Sequence, residues 1–326
     1  MENQYFTNVI GQDSIKRKLS FFLDAYRTSY KSPFLLMSGP AGLGKTEFAL
    51  EYAKAIKAIK AEANKSVEMS FYEINCATIK TVQAFLDEVH QQCVSHQDSI
   101  VLLDEAHALP APVMNLLLSV FNTSSRDKYE LWHGGELYEF DFLRNVFIFA
   151  TTETDKLFPP LKSRLEMIDF RPYHREELAE IIRGFDDGIH YEEKALLMLA
   201  STIRGTARDA IKAAKNVMLF CERKNDPNFT VEDSRDFFDI FGINPYGLTD
   251  TEISILKILE NGSASLSMIG AVTGYSPTSL KGDHEKYLLK RGFIMIDGHR
   301  HIATEGRKAL RNIRKDIYLD EESVAA

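Results

Sequence analysis

GPAGLGKT, residues 39–46, decides the fold. The pattern is G-x-x-x-x-G-K-[ST], a loop whose glycines let consecutive backbone N–H groups converge on phosphate oxygens. It follows an apolar run at 33–38 (PFLLMS), expected as a buried strand. It precedes 45–64 (KTEFALEYAKAIKAIKAEAN), whose Ala, Lys and Glu favour helix. Strand, glycine loop and helix open an α/β unit, with the helix N-terminus aimed at an anion. The expected ATP contacts are Gly39, Pro40, Ala41, Gly42, Leu43, Gly44, Lys45, Thr46 and Glu47. Lys45 brings a charge to the β- and γ-phosphates, and the Thr46 hydroxyl is a ligand for Mg2+.

Further apolar runs extend the sheet. Residues 100–105 (IVLLDE) form a strand ending in two acids. Asp104 is suited to hold Mg2+ through its water shell, and Glu105 to polarise an attacking water. Residues 146–152 (VFIFATT) form another, ending in hydroxyls, and 71–74 a fourth. Helical spacing at 11–30, 79–95 and 110–122 fills the intervals. The expectation is a parallel sheet covered on both faces by helices. Between 126 and 143, RDKYELWHGGELYEFDFL reads as a β-hairpin turning at Gly134-Gly135.

After Pro159-Pro160 the pattern changes. Residues 174–187, 191–203 and 206–222 read as three amphipathic helices with no strand between them. Then come helices at 249–261, 265–273 and 276–291, and two short strands around Asp297-Gly298, the winged-helix arrangement. Domain bounds are set at 1–170, 171–244 and 245–326.

Composition limits the function. The chain has 326 residues, 44% hydrophobic and 26% charged, with a net charge of −8. Those values exclude a disordered chain and a membrane bundle. The first twenty residues hold no apolar leader core, so the expected location is the cytoplasm. Cys76, Cys93 and Cys221 lie far apart and read as small buried hydrophobes. The acidity is uneven: 281–315 carries ten Lys or Arg against four Asp or Glu. In that stretch Lys281, Lys290, Arg291 and Arg300 are the expected DNA phosphate contacts.

These elements, taken in order, resemble the AAA+ ATPases and, within them, the RuvB family of Holliday junction branch-migration motors. VIGQ at 9–12 resembles the family's adenine-side motif, implying Ile10 and Gly11 as ATP contacts. GPAGLGKT is its Walker A and LDEAH at 103–107 its Walker B. ATT at 150–152 resembles the sensor-1 strand end, with Thr152 as sensor. PLKSRL at 160–165 resembles PLRxRF, which makes Arg164 the arginine finger. RGTAR at 204–208 resembles RGTPR, which makes Arg208 the sensor-2 arginine. Residues 287–304 (YLLKRGFIMIDGHRHIAT) resemble the family's winged helix. Departures mark a divergent member: Glu153-Thr154 after ATT, Lys162 for the first finger-loop arginine, and Met295-Ile296-Asp297 in the wing.

The resemblance implies an AAA+ ATPase domain, a small all-α lid and a C-terminal winged helix. It implies catalytic roles for Lys45, Glu105, Thr152 and Arg164, a hexameric ring on duplex or four-way junction DNA, and a RuvA-like partner. In the family that partner docks on a hairpin placed like 126–143. Leu131, Trp132, Leu137 and Tyr138 either form that docking surface or pack on their own domain. Two other readings stay open: an AAA+ loader or initiator on replication DNA, and a nucleotide-gated winged-helix regulator. The paired acids argue against a simple gate, which has no use for a water-polarising carboxylate.

Overall fold

The computed structural model describes residues 5–63, 68–122, 127–244 and 246–314. Arg126 at the hairpin's start, Pro245 in the 242–247 turn and Lys315 of the basic stretch lie outside the described residues. The chain forms two compact units, divided between Tyr173 and His174.

The first unit is built on strands β1 (Leu35–Ser38), β2 (Met69–Asn75), β3 (Asp98–Asp104), β6 (Asn145–Thr151) and β7 (Glu166–Asp169). Their order is β2-β3-β6-β1-β7, and every pairing is parallel. Every residue of β1 and β6 is buried, as helices on both faces require. The helices are α1 (Asp13–Ser29), α2 (Lys45–Ala63), α3 (Val82–Phe85 running on as π-helical Leu86–Val94), α4 (Ala111–Val120) and short α5 (Pro159–Lys162). A hairpin of β4 (Lys128–His133) and β5 (Glu136–Asp141) precedes β6. Phe121 packs on Phe34, Phe147 and Phe149, at ring separations of 4.4, 5.1 and 5.5 Å. That aromatic cluster fixes the sheet against α4.

The second unit begins with α6 (Arg175–Arg183), α7 (Glu193–Ser201), α8 (Ala207–Lys224) and α9 (Val231–Phe241). A two-residue parallel pair, β8 (His190–Tyr191) with β9 (Asn228–Phe229), ties the helix connections, where the sequence reads as strandless. Then follow α10 (Asp250–Glu260), α11 (Leu266–Thr273) and α12. The last runs through Pro277–Ser279, a π-helical Leu280–Glu285 and Lys286–Lys290. The wing is β10 (Ile294–Asp297) paired antiparallel with β11 (His299–Ile302), and α13 (Thr304–Arg314) closes the fold. Leu256, Leu259, Leu288, Phe293 and Leu310 form the winged-helix core.

Besides the β8–β9 pair and the one-turn α5, three elements escape the sequence reading. β7 is four residues with one buried side chain, too short for alternation to show. α9 starts on a capping box, Thr230 with Asp233, in which Asp stands where the usual signature has Glu or Gln. α13 follows the wing on an Ala309-Leu310 apolar stripe hidden among basic residues. Among the described residues, no helix is long and apolar enough to cross a membrane.

Candidate nucleotide-binding site

The glycine loop sits at the C-terminal end of β1, the side of a parallel sheet where ligands bind. Gly39 has φ +139°, and a Cβ there would stand 2.8 Å from the Phe170 carbonyl oxygen. Gly44 has φ +90° and Gly42 +79°, a region that side chains rarely enter. The loop is also braced from behind. The Tyr173 hydroxyl donates to the Leu43 carbonyl (3.0 Å), and Ser38 Oγ donates to Asp169 across β1 and β7. Lys45 is nearly buried and donates to the carbonyls of Gly39 (2.7 Å) and Pro40 (2.9 Å). Thr46 follows on the first turn of α2.

The predicted entry motif takes a second form of bracing. Gly11 and Gln12 are both left-handed, at φ +66° and +55°. Gln12 is fully buried, and its amide donates to the Arg171 carbonyl (2.6 Å). Ile10 and Gly11 are half-buried just before it. The 170–173 segment therefore holds both the entry motif and the glycine loop. No motif in the sequence signals that role.

Strand order brings the acids to the loop. β6 lies between β1 and β3, with Ser38 opposite Thr151 and Leu103 opposite Phe149. The Gly39 N–H donates to the Thr151 carbonyl (3.3 Å). Asp104 ends β3 and accepts from the Glu105 N–H (2.9 Å). Glu105 is left-handed at φ +51°, a costly conformation that turns its carboxylate off the strand axis. Thr152 Oγ1 donates to Glu105 Oε2 (3.1 Å). The structure thus gathers Lys45, Thr46, Asp104, Glu105 and Thr152 at one end of the sheet.

His107 and Glu153 join this group, although the sequence singles out neither as a site residue. His107 Nδ1 lies 3.0 Å from Thr151 Oγ1 and 3.2 Å from Glu105 Oε2, and its Nε2 lies 3.3 Å from Glu153 Oε1. The signal was the family departure at position 153, an acid that faces the Walker B histidine. Cys76 is inert: burial, with Asp104 and Glu105 near, pushes its thiol up to about 12. Cys93 and Cys221 are likewise free and buried.

Arg164 sits in the loop after α5, where it donates to the Pro160 carbonyl (2.5 Å). Within the second unit, Arg208 is exposed on the first turn of α8, whose N-cap is Thr206. Lys281, Lys290 and Arg291 are exposed on and just after α12. Arg300 differs from the other expected DNA contacts. Its Nε donates to Glu285 (2.7 Å), and the side chain is only 15% exposed, so it braces the wing.

The hairpin's two faces differ in burial. Leu131 pairs with Tyr138, and Trp132 with Leu137. Tyr138 is buried and Leu131 packs against the same core. Trp132 and Leu137 point outward, 70% and 47% exposed.

The chain matches the family model for the ATPase family associated with various cellular activities (AAA) over residues 35–173. It matches the RuvB C-terminal winged helix domain over residues 245–311. It is 29% identical over 311 residues to the Holliday junction branch migration complex subunit RuvB of Sulfurimonas denitrificans, spanning 92% of this chain and 86% of that one. Its identity to the same-named protein of Pediococcus pentosaceus is 26% over 308 residues, spanning 91% and 86%. Among solved structures it is similar to the Thermotoga maritima RuvB Holliday junction branch migration motor. The TM-score is 0.71 at 25% identity, covering 93% of this chain and 95% of that chain.

Proposed function

We propose that this chain, an AAA+ ATPase that resembles RuvB along most of its length, hydrolyses ATP to drive branch migration of four-way DNA junctions. The observation that carries the hydrolytic half is the Asp104-Glu105 pair, with Glu105 held by Thr152 beside the glycine loop. A nucleotide-binding switch has no need of that second acid.

The loop residues Gly39 to Thr46 bind the phosphates through backbone N–H groups, and Lys45 leaves its loop carbonyls to reach them. Mg2+ fits the residues present. Among the described residues no three His, Cys, Asp or Glu gather as a metal cage. A hydroxyl on Thr46 and a carboxylate on Asp104 are the sparse donor set that a hydrated ion shared with phosphates needs. When bound, the ion supplies charge neutralisation at the phosphate oxygens. Glu105 accepts a proton from the attacking water, and Thr152 fixes the direction of that carboxylate.

Arg164 acts in trans as the arginine finger of a neighbouring subunit in a six-membered ring, and Arg208 senses the nucleotide of its own chain. Lys281, Lys290 and Arg291 grip DNA phosphates without reading bases, as a motor on any duplex must. The outward Trp132–Leu137 pair receives a RuvA-type partner. The site of action is cytoplasmic DNA.

The test is ATP-dependent conversion of a synthetic four-way junction to duplex products by the purified chain, with and without a RuvA-type protein. Junction movement in either case supports the reading. ATP hydrolysis without junction movement in both would replace it with a loader or regulator.

A further inference from the structure

The second unit contains an ion pair, closed on its acidic side, that joins its helical group to its winged helix. Glu252, on the first turn of α10, is fully buried. Arg204, in the connection between α7 and α8, meets it through both guanidinium nitrogens: NH1 to Oε1 at 3.0 Å and NH2 to Oε2 at 2.6 Å. The same NH2 donates to the Gly247 carbonyl (3.0 Å), and the guanidinium lies 4.3 Å from the centre of the Tyr287 ring on α12. His284 Nδ1 stands 3.4 Å from Glu252 Oε1. Gly247 is pressed against α7's end, where a Cβ would come within 2.2 Å of the Thr202 carbonyl oxygen.

Each contact alone is ordinary. Together they bind one arginine to α10, to the inter-helix connection and to α12. A two-pronged arginine–carboxylate bond has fixed geometry. The arginine is part-exposed, at 29%, but the carboxylate it neutralises is not, and opening the pair would strand the fully buried Glu252 charge, which is unfavourable. Rotation between the helical group and the winged helix is therefore suppressed.

We propose that Arg204 is a transmission residue: it locks the winged helix to the segment carrying Arg208, so that lid rotation reaches the DNA-gripping helix without slack. Arg204 and Arg208 are the two arginines of RGTAR, divided between anchoring and sensing. The proposal rests on the reading of Arg208 as a nucleotide sensor.

The test uses the full chain with spin labels at Leu219→Cys on α8 and Met295→Cys on the wing, both exposed, while the native thiols are buried. One variant is Arg204→Lys, which keeps the charge and loses the fork. The other is Arg204→Met/Glu252→Gln, which removes the pair without stranding a buried charge and keeps a capping residue on α10. The parent should give one narrow distance distribution, and a folded variant a broad one. ATP turnover should stay within about twofold, while ATP consumed per junction moved rises about tenfold, inside the usual range of coupling free energies. An unbroadened distance in a folded variant overturns the lock, and broadening with unchanged ATP per junction overturns the transmission role. If the parent moves no junction, the proposed function fails, and the distance measurement still decides the lock.

Discussion

Thr152 Oγ1 donates to Glu105 Oε2 over 3.1 Å, joining the hydroxyl end of one central strand to the acidic end of its neighbour. The contact exists because β6 lies between the loop-bearing β1 and the acid-bearing β3. Glu105→Gln should leave ATP binding intact and cut hydrolysis by ~10²- to 10⁴-fold, the usual contribution of a general base. Thr152→Val, which removes only the orienting hydrogen bond, should cost about tenfold. Steady-state turnover paired with fluorescent-nucleotide binding separates the two. Loss of binding in parallel with turnover would reassign Glu105 to ligand recognition.

Arg164 predicts complementation. Lys45→Ala disables a subunit's own loop, and Arg164→Ala disables what it lends to its neighbour. Each variant alone should hydrolyse ATP at least ~10³-fold more slowly than the parent. Mixed, they restore intact sites wherever an Arg164 of one meets the loop of the other. Turnover of the mixture should exceed the sum of the separate variants. A strictly additive mixture would place Arg164 outside the shared site.

The hairpin makes a split prediction. Trp132→Ala and Leu137→Ala remove outward side chains and should shift stability by no more than about 0.5 kcal/mol. They should weaken partner binding by about 2 kcal/mol or more, as central aromatic anchors do. Tyr138→Ala empties a buried site and should cost roughly 3 kcal/mol of stability. Thermal unfolding beside calorimetric titration with a RuvA-type protein measures both. Equal destabilisation by all three variants would mean that the pair is structural.

Far from the site, Asp98 at the start of β3 bonds Lys60 Nζ and Arg144 Nε, each at 2.7 Å. Burial works against its ionisation, but the two cations prevail and hold its carboxyl below the usual carboxylate range. A carboxylate with a depressed folded pKa stabilises the fold fully above its unfolded value of about 4. That contribution fades as pH falls through the lower folded value. Asp98→Asn should therefore be less stable than the parent near neutrality, with the difference shrinking below about pH 4. Urea titrations across that window check it, and a gap that is constant with pH would remove the ion pairs as its cause.

Features that are local in the chain are legible in the sequence, and those made by distant residues are not. GPAGLGKT, IVLLDE and VFIFATT place their strands within a residue or two, because apolar runs bounded by a loop or acids carry their own punctuation. The bracing by Gln12, Asp169, Phe170 and Tyr173 was illegible, because it joins residues over 100 positions apart, mostly through backbone carbonyls and once through the Asp169 carboxylate. The Arg300–Glu285 bond was equally illegible: fifteen positions separate the two residues, and a basic residue on a wing carries no sign of its partner. Glu153 was visible as a departure from the family pattern, yet its partner His107 becomes plain only when the strand ends are aligned.

In the proposed mechanism the neighbouring chain completes each catalytic site. That completion is tested most directly by ATP turnover per chain, followed by dilution through the assembly transition while sedimentation reports the species present. Turnover should fall with the assembled fraction and drop by at least ~10³-fold in monomers, which lack a neighbour's Arg164. Monomers that hydrolyse ATP at the undiluted rate would contradict that mechanism.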